Sequence, residues 1–140
     1  MTPIIKAIGL TKTFSSYIAV NHLTFEVREG EDLRLLGPNG AGKTTTIRML
    51  ACLMSPTEGL AIVAGNKIVE NPLAVRQTVG ILTETPSLYE RLIALENMDF
   101  FAKAHNLTDD QNRSERIREL MDFFSIWERR NDKVATFSQT

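Results

Sequence analysis

At 140 residues the chain has the length of one ordinary domain, enough to bury one core but not two, and its sixteen basic against seventeen acidic residues leave a formal net charge of −1. That balance excludes the basic footprint of a nucleic-acid binder, and no nucleic-acid partner is expected. The single cysteine, Cys52, cannot form an internal disulfide and reads as a small buried residue in a reducing compartment, while no apolar run approaches the roughly 18 residues that span a bilayer.

The opening "MTPIIKAIGL" lacks a charged region followed by a long apolar one, so the chain reads as soluble and unexported. "AVNHLTFEVREG" alternates, with Leu23, Phe25 and Val27 on one side and Thr24, Glu26 and Arg28 on the other. This predicts an antiparallel strand closing on the Glu29-Gly30 turn. "EDLRLLG" predicts a second short strand running into a glycine-rich turn. "KTTTIRMLACLM" then places Ile47, Leu50, Ala51 and Met54 at helical spacing, and Ser55-Pro56 is expected to end that helix. "LAIVAG" and "TVGIL" read as short buried strands. From Leu95 onward the texture is helical, first in "ALENMDFFAKAH" and then in "TDDQNRSERIRELMDFF", where Ile117, Leu120, Met121 and Phe124 form one stripe. Thr108 with Gln111 three residues on has the pattern of a capping box. A β-rich and α/β part, about residues 1–93, is thus followed by a helical part, about residues 94–140.

Chemistry is concentrated in "GPNGAGKT", residues 37–44, which fits G-x-x-x-x-G-K-[ST]. A chance match in a chain of this size is on the order of one in a few hundred, and the predicted strand-loop-helix context is the one such a loop requires. A triphosphate needs several converging donors. The backbone N–H groups of residues 40–45 can supply them only if no side chains block the approach, which is the use of the glycines. The helix that follows directs its positive end at the phosphates. Lys43 is placed to reach the β- and γ-phosphates and the Thr44 hydroxyl to ligate Mg²⁺. An ordinary glycine-rich turn would leave the lysine and threonine unexplained at their required offsets.

"LLGPNGAGKTTT", together with "SPTEG" and the opening "GLTKTF…AVNHLTFEVREGE", closely resembles the ATP-binding cassette domain of ABC transporters, over nearly all of the chain and in order. Within that family it is most similar to single-domain ATPase subunits of bacterial export systems. The resemblance implies an α/β fold of the P-loop NTPase type, with an antiparallel β part, a P-loop strand-helix unit and part of a helical subdomain. It implies ATP and Mg²⁺ as ligands. Asn39, Gly40, Ala41, Gly42, Lys43, Thr44 and Thr45 fall at phosphate-binding positions, with Thr45 at the α-phosphate contact. Phe14 falls where the family places an aromatic against adenine, a role for which Tyr17 competes; either ring offers a π-face that stacks on a flat base. "ILTETPSLYERLIALEN" matches the Q-loop segment, with Leu88, Tyr89, Leu92, Glu96 and Asn97 in register, but Glu84 stands where the family has glutamine. A carboxylate there can bind Mg²⁺, yet unscreened it repels the γ-phosphate, so ATP binding is expected to depend unusually strongly on Mg²⁺. Arg34 is a second departure, since the family has a small residue in the strand feeding the loop. Either it finds a carboxylate or that strand is less enclosed than usual.

The helix from residue 108 to about 124 corresponds to the helical subdomain, which in the family sits against membrane-spanning subunits. His22, His105 and Trp127 have no partners at ligand or catalytic spacing and read as structural. The family's aspartate and glutamate at the end of an apolar strand (Walker B) and its downstream histidine have no counterparts after Thr108. The chain is therefore expected to be a truncated form, unable to hydrolyse ATP alone, marginally stable and exposing sheet edges. "KVATFSQT" aligns with the approach to the signature motif, in which Ser138 would donate to a γ-phosphate held by a second ATP-binding subunit; Gln139 and Thr140 depart from the pattern. The implied location is cytoplasmic, at the inner face of the membrane through partner subunits. Two other readings remain at this level: a small P-loop kinase, which wants arginines in a lid where Arg113, Arg116 and Arg118 instead lie along a helix, and a non-catalytic remnant.

Overall fold

A computed structural model describes residues 2–82 and 88–137 and divides the chain into two compact units, Met1–Leu82 and Thr83–Thr140. Glu84 and Ser138 lie outside the described residues.

The first unit is built on an antiparallel sheet of order β2-β1-β3-β4, comprising β1 (Ile5–Phe14), β2 (Tyr17–Val27), β3 (Glu58–Val63) and β4 (Asn66–Lys67). β1 and β2 are joined by a two-residue turn at Ser15 and Ser16, so that Phe14 pairs with Tyr17 across the hairpin tip. α1 (Lys43–Leu50) lays Met49 and Leu50 against Ala7 and Leu10 of β1, Val20 of β2, and Ala61 and Val63 of β3. Ile68 and Val75 complete this core, Val75 being carried by α2 (Pro72–Thr78). Pro72 suits the first turn of α2 because its missing N–H has no partner there in any case.

The strands foreseen in "AVNHLTFEVREG" and "LAIVAG" are present, as β2 and β3. "EDLRLLG" is not a strand: residues 32–37 carry no regular element, and Leu33 and Leu36 are exposed. Its alternation is real, but a strand needs a ladder partner. Both edges of β1 are taken by β2 and β3, and no described strand pairs with this segment. "TVGIL" is not a strand either. Thr78 ends α2, whose bond from the Val79 N–H to the Val75 carbonyl closes the last turn, and Leu82 is exposed. α1 also stops before the Ser55-Pro56 signal. Cys52 adopts φ 55°, its N–H reaches the Met49 carbonyl and the Leu53 N–H reaches the Arg48 carbonyl, a paired capping arrangement that ends the helix locally. Met54 therefore lies beyond the helix, and Ile47 is exposed.

In the second unit, α3 (Ala94–Ala104) and α4 (Asp110–Phe123) are followed by short 3₁₀ turns at Trp127–Arg129 and Val134–Thr136. Ala94, Ile117 and Met121 form the buried centre, with Leu95, Met98, Ala102, Ile126, Trp127 and Phe137 packed around it. The α4 stripe is narrower than its spacing suggests, since Leu120 is half-buried and Phe124 lies exposed beyond the helix end. The cap is Asp109 rather than Thr108: its carboxylate accepts from the Asn112 N–H at 2.8 Å. A charged acceptor next to the positive helix end is the stronger ligand for that donor. At the start of α3, the Ala94 and Leu95 N–H groups donate to the carbonyls of Asp132 and Arg130, so the late loop satisfies donors that the helix itself leaves unpaired.

Candidate functional site

The glycine-rich loop of residues 37–42 leads directly into α1. The first bond of the helix runs from the Thr46 N–H to the Gly42 carbonyl at 2.8 Å, and the Thr46 hydroxyl donates to the same oxygen at 2.9 Å. The N–H groups of Lys43, Thr44 and Thr45 precede that bond and are the orphan donors of the helix start, facing along its positive end. Thr44 is exposed and Thr45 half-buried at this terminus, while Thr46 is buried and structural. The Ala41 N–H is turned inward to the Pro38 carbonyl at 3.2 Å, which removes it from the converging set foreseen for residues 40–45.

Gly42 is the geometric hinge of this arrangement. Its φ is 80°, and a Cβ placed there would lie 2.2 Å from the Ala19 carbonyl oxygen and 3.0 Å from the Val20 side chain. Only glycine allows the loop to lie this close to β2. Lys43 extends back over the loop and donates to the carbonyls of Gly37 and Pro38 at 2.6 and 2.7 Å. Its ammonium thus lies over the loop rather than along the helix, and Asn39 and Gly40 are exposed beside it.

The hairpin tip meets the loop. Tyr17 donates its phenol O–H to the Gly40 carbonyl at 3.0 Å, and Phe14 is its cross-strand partner. Phe14 is 44% exposed, with the Lys12 ammonium 5.3 Å from its ring centroid. Lys12 is itself anchored on the Ser55 carbonyl at 2.8 Å. Arg34, whose partner the sequence leaves open, is exposed and needs none.

In the second unit, Asn97 is buried and braces the segment that follows Glu84. Its amide accepts from the Tyr89 N–H at 2.9 Å and donates to the Tyr89 and Ile93 carbonyls at 3.0 and 3.2 Å. Arg113 is more than nine-tenths buried and bridges Asp99 (2.6 Å), Asp110 and the carbonyls of Leu107 and Thr108. Lys103 holds the other oxygen of Asp99 at 2.6 Å. Hydrogen bonding from Lys103 and then Arg113 draws the Asp99 carboxyl below its ordinary range, and Asp99 and Asp110 raise the Arg113 guanidinium further. Arg116 pairs with Glu119 and Arg118 lies 3.5 Å from Asp122. All three late arginines face carboxylates of the helical unit.

The glycine cradle, the orphan donors of α1 and the overlying lysine have the arrangement of the loop-helix unit of a P-loop NTPase fold. A family model described as ABC transporter matches residues 20–140, and the chain belongs to that family. It is 36% identical over 138 residues to the uncharacterised ABC transporter ATP-binding protein YcbN of Bacillus subtilis, covering 99% of this chain and 44% of that one. It is 37% identical over 123 residues to the probable multidrug ABC transporter ATP-binding protein YbhF of Escherichia coli, covering 88% and 21%. Among solved structures, an ATP-binding subunit of an ABC transporter superposes with a TM-score of 0.81 at 29% identity, over 97% of this chain and 56% of that one. The cassette MJ0796, solved as a dimer in a post-hydrolysis state with ADP and Pi, gives 0.80 at 25% identity, over 96% and 63%. The chain spans less than half the length of these curated relatives.

The sequence named Phe14, the loop residues and Thr44 as site positions, and the structure places Phe14 at the hairpin tip and Thr44 in the first turn of α1. The Tyr17 bond to Gly40 and the buried role of Arg113 were not legible from sequence. Only the Asp110 to Arg113 spacing hinted at the latter, since the other acid, Asp99, belongs to a different helix.

Proposed function

We propose that the chain supplies the nucleotide-gripping part of an ABC transporter ATP-binding subunit of export type, binding ATP with Mg²⁺ on residues 39–45. The observation that carries this reading is the Gly42 cradle pressed against β2, from which the orphan N–H groups of Lys43, Thr44 and Thr45 converge. Lys43 would exchange its two neutral carbonyl partners for anionic β- and γ-phosphate oxygens, a stronger contact because both partners are then charged. The exposed Thr44 hydroxyl, at the first turn of α1, suits a Mg²⁺ bound to those phosphates. Phe14 offers an exposed ring face to adenine at the hairpin tip.

In the whole protein the reaction would be hydrolysis of the β–γ phosphoanhydride, catalysed by positioning and electrostatic stabilisation and coupled to membrane-spanning subunits. A second ATP-binding subunit would face the nucleotide, with Ser138 donating to the γ-phosphate held opposite. The subunit would work at the cytoplasmic face of the membrane. The export assignment is supported by the Escherichia coli relative named as a probable multidrug transporter protein. Glu84, which stands at the Q-loop position of the family, would as a carboxylate repel an unscreened γ-phosphate.

Calorimetric titration with ATP and AMP, with and without Mg²⁺, tests this reading. ATP should bind at least tenfold more tightly than AMP, because the grip is on the β- and γ-phosphates, an estimate of about 1.4 kcal/mol or more. Glu84→Gln should reduce the Mg²⁺ dependence of ATP affinity. Equal affinity for the two nucleotides would remove the phosphate-loop reading, and an unchanged Mg²⁺ dependence would remove the role of Glu84.

A further inference from the structure

We propose that Tyr17 is a positioning residue for the phosphate loop, acting through its hydroxyl rather than its ring; this rests on the nucleotide site proposed above. Tyr17 opens β2, and its O–H donates to the Gly40 carbonyl at 3.0 Å across 23 positions of sequence. Two residues further along β2, the Ala19 carbonyl lies so close to Gly42 that a Cβ there would be 2.2 Å from its oxygen. The loop is thus held along one strand at two points, each two residues from the other on both partners. One is a hydrogen bond and the other a backbone contact.

The bond to Gly40 has a direct consequence for the next amide. In a planar trans peptide the C=O and the following N–H point in opposite directions. With the Gly40 carbonyl drawn toward Tyr17, the Ala41 N–H is turned away from the hairpin, where it meets the Pro38 carbonyl at 3.2 Å. The phenol therefore fixes the peptide plane between Gly40 and Ala41, whose glycine, at φ 84°, is conformationally free on its own. The plane lies directly before Gly42 and the donors of α1. Holding it pre-orders the loop and removes part of the ordering cost of gripping phosphate. The ring itself is 56% exposed, so the unit's core does not depend on it.

Tyr17→Phe keeps the ring and deletes only the donor. In the ligand-free full chain, the Ala41 amide resonance should move and its hydrogen exchange should quicken, while the thermal melt stays unchanged. In calorimetric titrations, affinity for ATP and for inorganic tripolyphosphate should fall by the same factor, about three- to tenfold, the range of one hydrogen bond. Wild-type affinity for both ligands in Tyr17→Phe would overturn the proposal and leave the nucleotide site standing. Weakened ATP with unchanged tripolyphosphate would also overturn it, because the hydroxyl would then be reading the nucleoside. A wild-type chain that binds neither ligand would overturn the nucleotide reading and the positioning role together, even if the Ala41 amide responds.

Discussion

Gly42 shows how a single residue type can be dictated from two directions. Its φ of 80° disfavours any Cβ, and that Cβ would lie 2.2 Å from the Ala19 carbonyl oxygen, backbone that cannot move without displacing β2. Gly42→Ala should therefore cost about 2 to 4 kcal/mol, combining left-handed strain with overpacking. Denaturant unfolding measures this, and a variant as stable as wild type would show that the loop does not lie on β2. Asp99 makes a different residue-scale test. Its carboxyl is held below its ordinary value of 3.8, first by Lys103 and then by Arg113. A depressed folded-state pKa gives stability that is present in full above the unfolded value and is lost as pH falls through the folded one. Asp99→Asn should accordingly be less stable than wild type at neutral pH, and the gap should close as pH drops below about 4, followed by circular dichroism. A gap independent of pH would contradict the assignment. Residues placed by covalent neighbours, such as Lys43 and Thr44 after Gly42, could be located at the start of α1 from sequence alone. The bonds of Tyr17 and Arg113 could not be read that way, because the partners that define them lie 23 and 14 positions away.

Among the elements, helices were more legible than strands for a physical reason. A helix satisfies its backbone within a few residues, so the spacing in "ALENMDFFAKAH" and "TDDQNRSERIRELMDFF" was sufficient to locate α3 and α4 to within a residue or two at each end. A strand is completed only by a neighbour, and "EDLRLLG" and "TVGIL" have the composition of strands without one among the described residues. Helix ends fell between these cases. The Thr108 and Gln111 pattern marked the start of α4 to within a residue, but the bond to the Asn112 N–H is made by Asp109. Asp109→Ala should cost about 1 kcal/mol of stability and Thr108→Ala appreciably less. Thermal melts of the two variants check this, and equal losses would return the cap to Thr108.

For the whole molecule, the order of features along the chain was more informative than any one motif. A glycine-rich loop alone fits kinases, GTPases and transport ATPases; the flanking "LTKTF" and "SPTEG" segments in order narrowed the reading to the family that the residue 20–140 match establishes. Among the described residues, three large apolar side chains, Leu36, Leu82 and Phe123, are more than three-quarters exposed. The phosphate loop nevertheless has its structural supports inside the first unit: β2 beneath Gly42, Tyr17 beside Gly40, and α1 behind Lys43. If this loop grips a triphosphate through the Lys43 ammonium and the first amides of α1, calorimetric titration of Mg²⁺-ATP should show saturable binding to wild type and a loss on the order of tenfold or more in Lys43→Ala, at an unchanged melting temperature. Equal affinity in the two proteins, or no binding to a folded wild-type chain, would contradict that reading.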